Sequence, residues 1–236
     1  MKNLLILLAV FFILPISAQK IIEKNIEYNN QQIDLDVRFA SKIQVKTWDK
    51  STVYFKADIY TKDDKYLDLY KVNIDKGSRT ITIESDTEVL LKKFWEDRKK
   101  MYPGKKRYYY NSEEWYEFNY VLYVPKNATF KVSSINGDLA SEIIEGDFTA
   151  DLINGDIDIA SYKGDLDLKT INGEIDIKMI DADLVAETIH GDIFADEKLK
   201  FTSSNRYVGQ KIAGQTASGS NKLRLNTING NMYLRL

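Results

Sequence analysis

The chain has 236 residues and a mass of 27.2 kDa, enough for one or two domains with a substantial core. Its 33 Lys and Arg against 35 Asp and Glu leave a formal charge of −2, which argues against capture of a polyanion such as nucleic acid. There is no Cys, and His190 is the one histidine, so disulfides, thiolate metal sites, a Cys nucleophile, a lipidated Cys and multi-His sites within one chain are excluded.

Residues 1–18 read as a secretory signal: Lys2, an apolar run, then Ile16-Ser17-Ala18 as a small-residue cleavage site before Gln19. The run is about 14 residues, short of the roughly 20 that span a bilayer, and no later segment is longer. The reading is therefore an exported protein of the periplasm or cell surface, with no transmembrane segment in the mature chain. Residues 20–86 are strand-like, as in Lys42-Ile43-Gln44-Val45-Lys46 and Thr52-Val53-Tyr54-Phe55-Lys56, with a turn at Asp75-Lys76-Gly77-Ser78. Residues 88–102 have helical spacing, with Leu90, Leu91, Phe94 and Trp95 on one face, and Pro103-Gly104 ends the pattern. Residues 115–124 read as a strand with Tyr116, Phe118, Tyr120, Leu122 and Val124 on one side.

A repeat follows. Gly and an acid stand together at Gly137-Asp138, Gly146-Asp147, Gly155-Asp156, Gly164-Asp165, Gly173-Glu174 and Gly191-Asp192, spaced by nine, with Ala182-Asp183 filling the gap. Over this runs an 18-residue period: Ile135-Asn136-Gly137, Ile153-Asn154-Gly155, Ile171-Asn172-Gly173 and Ile189-His190-Gly191. Each half continues as apolar/polar alternation, the mark of a short strand with one buried face. The predicted fold class is all-β, a parallel β-solenoid with 18-residue turns of two halves, plus a short helix in an insertion. Three apolar columns are expected: Leu139, Ile157, Ile175 and Ile193; Phe148, Leu166 and Leu184; and Ile135, Ile153, Ile171 and Ile189. Glycine at each corner supplies backbone angles that a side chain penalises. The nine-residue half-period departs from a hexapeptide helix, and single corner glycines depart from the G-G-x-G-x-D of a calcium roll. Gly209 keeps step with Gly191, but Ile228-Asn229-Gly230 arrives late, implying a three-residue insertion before a last turn.

The run Val124-Pro125-Lys126-Asn127-Ala128-Thr129-Phe130-Lys131-Val132, followed by serial Ile-Asn-Gly-Asp-Ile units, resembles the bacterial putative-adhesin family of exported β-solenoids. Residues 41–50 look like that family's opening turn, and the resemblance covers about two-thirds of the chain. It implies no enzymatic activity and no agreed ligand. The expected organisation is a signal peptide over 1–18, an N-terminal β region over 19–132 with a helical, aromatic insertion at about 58–118, and repeats over 133–236.

Four features compete as sites. Residues 133–197 hold 17 acids and three bases, so stacked carboxylates could draw divalent cations weakly, but a solvated face that opposes edge association is the preferred account. Asn136, Asn154, Asn172 and His190 form an expected side-chain ladder, which leaves His190 a structural role rather than that of a base. Paired carboxylates for glycoside cleavage are abundant, but no acid breaks the symmetry, so no catalytic residue is assigned. The insertion combines aromatic faces with cations, a chemistry suited to sugars, anionic glycans or a membrane surface, unless its helix and strand serve to cap the exposed end of the solenoid: Lys105, Lys106, Arg107, Tyr108, Tyr109 and Tyr110, with Trp95 and Trp115, are the candidate ligand-binding residues. No metal and no cofactor are expected. The expected partner is an envelope glycan or another envelope protein, with no nucleic acid and no oligomeric state implied.

Overall fold

Apolar residues at every second position give each half-repeat one inward side, and these runs form short strands. A computed structural model describes residues 18–102, 115–204, 208–216 and 218–236. Among them nineteen strands join one open, mixed sheet, with one α-helix and one 3-10 helix packed against it, so the fold is all-β. The chain begins with β1 (Ala18–Glu27), β2 (Gln32–Asp36), β3 (Phe39–Trp48) and β4 (Thr52–Thr61). The 3-10 helix (Asp64–Leu69), β5 (Lys71–Lys76), β6 (Thr80–Asp86), α1 (Glu88–Met101) and β7 (Tyr116–Pro125) follow.

The repeats supply β8 (Ala128–Ser141), β9 (Ile144–Asn154), β10 (Ile157–Ile159), β11 (Tyr162–Lys163), β12 (Leu166–Asn172), β13 (Ile175–Lys178), β14 (Ala182–His190) and β15 (Ile193–Ala195). Parallel pairing carries each residue onto its equivalent one full repeat later: Leu139 on Ile157 on Ile175, and Phe148 on Leu166. The columns extend beyond the repeat motif. Ile43 of β3 pairs with Leu139, and Ile33 of β2 with Phe130, so strands without any Gly-acid signature stack on the same core. Phe130 and Phe148 stack at 4.6 Å inside it.

The chain closes with β16 (Thr202–Ser204), β17 (Gln210–Thr216), β18 (Asn221–Asn229) and β19 (Met232–Arg235). Here the order of the stack leaves the order of the sequence. β18 lies between β12 and β14, pairing parallel to both, and β19 lies between β13 and β15. Leu223 therefore separates Leu166 from Leu184, and Met232 separates Ile175 from Ile193. The expected three-residue insertion before a last turn is thus corrected: the last turn is slotted inside the stack, beneath β14. β17 covers the far edge of β14 in antiparallel sense.

Two further expectations change. The sheet is not parallel throughout, because β1 with β4, β4 with β7, β5 with β6, β14 with β17, and β16 with β17 are antiparallel. The column of Ile153, Ile171 and Ile189 is not core, since each side chain is 39–47% exposed. It precedes the corner asparagine, where the chain turns and the apolar side changes face. The inner ladder at that corner is polar instead: buried Thr170, Thr227 and Thr188 donate to the carbonyls of Gly155, Gly173 and Gly230 in the neighbouring turn, at 2.9–3.1 Å.

Corner glycines serve two purposes. Gly146 has φ +138°, a conformation that L side chains rarely adopt. Gly173 does not, but a Cβ there would collide with the carbonyl of Gly155 one turn away. The conformational argument thus holds at Gly137, Gly146 and Gly164, and close approach governs Gly155, Gly173, Gly191 and Gly230.

Candidate functional site

The acidic corners are occupied by backbone. Asp138 Oδ1 accepts the Asp156 amide at 2.9 Å and Asp156 Oδ1 accepts the Glu174 amide at 2.8 Å. On the other corner, Asp147 Oδ1 accepts the Asp165 amide at 3.2 Å and Asp165 Oδ1 the Lys222 amide at 2.8 Å. Each carboxylate thus satisfies a donor of the next turn, a structural use for the repeating acid. Where the last turn enters, Asn231 and Lys222 replace acids: Asn231 donates to Glu174 and accepts the Asp192 amide, and Lys222 pairs in register with Asp183. Arg235 also pairs with Asp176, whose carboxyl is raised chiefly by burial. Among the described residues no group of three acidic or His side chains converges as a metal would require.

The asparagine ladder is continuous. Asn154 donates to Asn136, Asn172 to Asn154 and Asn229 to Asn172, at 2.7–3.0 Å, and His190 lies in register with Asn229.

α1 forms because Leu90, Phe94 and Arg98 recur at four-residue spacing and bury one stripe. The Asp86 carboxylate, one residue ahead of the N-cap Thr87, accepts the Glu88 amide at 3.3 Å at the helix start. Phe94 is the hub, edge-on to Tyr66, Trp95, Trp115 and Tyr116 at 5.4–6.1 Å. Asp97 ties the helix to the 3-10 segment. Lys93 at 3.0 Å, and then Lys65 at 3.2 Å, hold its carboxyl down to about 2. Below the helix, the hydroxyls of Tyr70 and Tyr120 meet at 3.1 Å in the core, and burial raises both, Tyr120 to about 12.

Of the sequence-predicted ligand residues, Trp95 is 48% exposed on α1. Trp115 packs partly buried against the core, with Lys62 Nζ 4.3 Å and the Arg98 guanidinium 4.5 Å from its ring centre. Phe94 touches both indoles, so the structure brings these two together. Lys105, Lys106, Arg107, Tyr108, Tyr109 and Tyr110 lie outside the described residues.

Beside Trp95, where α1 meets the ends of β2, β3, β5 and β6, lies a cavity of about 490 Å³. Sequence reasoning found Trp95 but not the carboxylates around it, Asp36, Glu84, Asp86 and Glu88. Asp86 ahead of a helical run carried a local capping signal. Asp36 and Glu84 meet through parallel pairing of β2 and β6, and nothing local encodes that. A second hollow of about 460 Å³ lies on the repeat face, lined by Asp147, Asp165, Asp167 and Asp183 with Lys222 and Arg224.

No protein-family model matches this chain. No curated protein matches it either. Among solved structures, a "putative cell adhesion protein" from Clostridium sporogenes is similar over 92% of this chain and 99% of its own, at 13% identity and a TM-score of 0.54. A "putative lipid binding protein" from Parabacteroides distasonis matches over 92% and 94%, at 10% identity and a TM-score of 0.25. A "putative adhesin" from Bacteroides fragilis matches over 91% and 97%, at 10% identity and 0.26. The first of these is a likeness of fold. Among the described residues no helix is long and apolar enough to cross a membrane.

Proposed function

We propose that this chain is a non-catalytic, adhesin-like β-solenoid of the bacterial envelope, exported by residues 1–18, which holds a glycan or another envelope component at its helix–sheet junction. The signal, the N-terminal region over 19–132 and the repeats over 133–236 are its parts, and Lys105–Tyr110 with Trp95 and Trp115 belong to the binding surface. One observation carries the reading: a concave site with a half-exposed indole is built on a stack whose backbone donors are tied from turn to turn. Rigid stacks with one irregular, aromatic insertion suit binding, because the insertion is where side-chain chemistry is released from the repeat. The full-repeat register of the parallel pairs supports the solenoid, and the shared fold with a structure named for cell adhesion supports the class.

The test is capture of the purified chain on separated envelope fractions: peptidoglycan, outer-membrane glycolipid and protein-free vesicles. Retention on a glycan-bearing fraction is expected. Retention on none of them overturns the glycan reading, and retention only on membrane vesicles that keep their proteins, run in parallel, moves it to a protein partner.

A further inference from the structure

The cavity beside Trp95 has walls of unequal chemistry. Four carboxylates line it against one guanidinium, that of Arg38, which lies 3.6 Å from Asp36. Ionised carboxylates only accept hydrogen bonds, so the matching ligand presents donors. Trp95, with Phe39 and Leu91, adds an aromatic and apolar side, the surface on which a ring or a cation packs.

The carboxylates are also held together against their own repulsion. Asp36 and Glu84 stand directly opposite each other in the β2–β6 register, an arrangement that weakens a sheet unless a cation relieves it. Arg38 reaches Asp36, and the Glu88 amide engages Asp86, but neither Glu84 nor Glu88 has an ion-pair partner among the described residues. A bare metal ion does not suit them, because no three acids converge on a point among the described residues. The volume, about 490 Å³, falls within the roughly 300–1,000 Å³ of small-ligand sites.

We infer that this junction binds an oligosaccharide carrying free amino groups: hydroxyls and an ammonium donate to Glu84, Glu88 and Asp36 while a sugar ring lies along Trp95. The inference rests on the glycan reading above and names the sugar chemistry that reading leaves open. It also separates this cavity from an anionic glycan, which the same carboxylates repel.

The experiment is calorimetric titration of the purified chain with a short glucosamine oligomer and, in parallel, with its fully N-acetylated counterpart. The free-amine oligomer is expected to bind at least about tenfold more tightly, a difference of about 1.4 kcal/mol. Glu84→Gln, Glu88→Gln and Trp95→Ala are each expected to weaken it about tenfold. Glu84→Gln carries a second readout, since removing the charge opposite Asp36 should leave the melting temperature unchanged or higher. Equal binding of the two oligomers, wild-type affinity in the variants, or a lower melting temperature for Glu84→Gln overturns the inference. Variants that lose the glucosamine oligomer but keep wild-type capture on envelope fractions leave the broader function standing. A wild type captured by no glycan fraction removes both.

Discussion

The turns from β8 to β13 and the turns from β14 to β19 share one apolar pattern but are assembled differently. In the first group each turn lies on the one that precedes it in sequence. In the second, the turn of β18 and β19 sits between two that precede it in sequence, with Asn229 in register with both Asn172 and His190. Alternation of apolar residues makes a turn stackable, but it does not choose its neighbours. Leu223 and Leu225 would fit any slot that accepts Leu166 and Leu168.

Charge and corner chemistry make the choice. Residues 198–236 carry seven bases (Lys198, Lys200, Arg206, Lys211, Lys222, Arg224 and Arg235) and no acid, whereas residues 133–197 carry 17 acids and three bases. A basic turn placed between two acidic ones puts Lys222 beside Asp183, Arg224 opposite Asp167 and Arg235 on Asp176. Stacked in chain order, Asp183 would face Asp165, and Asp167 and Asp176 would face Val185 and Phe194, with no opposite charge. The point of insertion is held by Asp181, which accepts from the Ser218 and Ser220 hydroxyls and from the Gly219 and Ser220 amides. Those donors, the Ser218 hydroxyl first, hold its carboxyl down to about 2.

The largest expected effect comes from removing residues 218–236. β14 then keeps only β17 paired at its side and β15 loses its paired strand, so the amides of 182–190 should exchange near unfolded rates while those of 148–151 stay protected. Protection persisting across 182–190 by hydrogen exchange would mean that β14 can rest directly on β12, and the contrast between the two groups would vanish. Next in size is Leu225→Ala at a site with 0% exposure, expected to cost about 2–5 kcal/mol in denaturant unfolding. Leu168→Ala, also at 0%, should cost a similar amount, since both groups share one core; a much smaller cost at Leu225 would show the last turn to be loosely seated.

Reversing Lys222 and Arg224 to Glu together is smaller. Both side chains are exposed, and the loss should be about 0.5–1 kcal/mol per site, shrinking in high salt. A salt-independent loss would assign their role to packing. Asp181→Asn is read in the pH profile rather than at a single pH. A carboxyl lowered to about 2 contributes stability that is complete above its unfolded value, near 4, and is lost as pH falls through about 2. The wild type should therefore lose more stability than Asp181→Asn between about pH 4 and pH 2. Parallel melting curves over that window would show that Asp181 does not hold the last turn in place.

The helix over Glu88–Met101 was legible because the spacing of Leu90, Leu91, Phe94 and Trp95 is a local pattern, although the buried stripe is Leu90, Phe94 and Arg98 and Trp95 faces solvent beside it. The proposed site was legible only in its aromatic half. Trp95 is conspicuous by type, while Asp36 and Glu84 are ordinary strand carboxylates until β2 pairs with β6, far along the chain. The exposed isoleucine column was misread for a related reason: Ile153 and Ile171 recur with the period of the core, and a period does not reveal which way a corner residue points.

The sequence by itself determined the all-β class, the stacking register from Leu139 to Ile175 and the glycine corners, because these follow from alternation and close approach between neighbouring turns. Tertiary structure alone decided that β18 and β19 enter the middle of the stack and that four carboxylates gather beside Trp95. Both depend on pairings between strands far apart in the chain, where identical apolar patterns leave the choice to charge and to a few hydrogen bonds that exist only once the stack has formed.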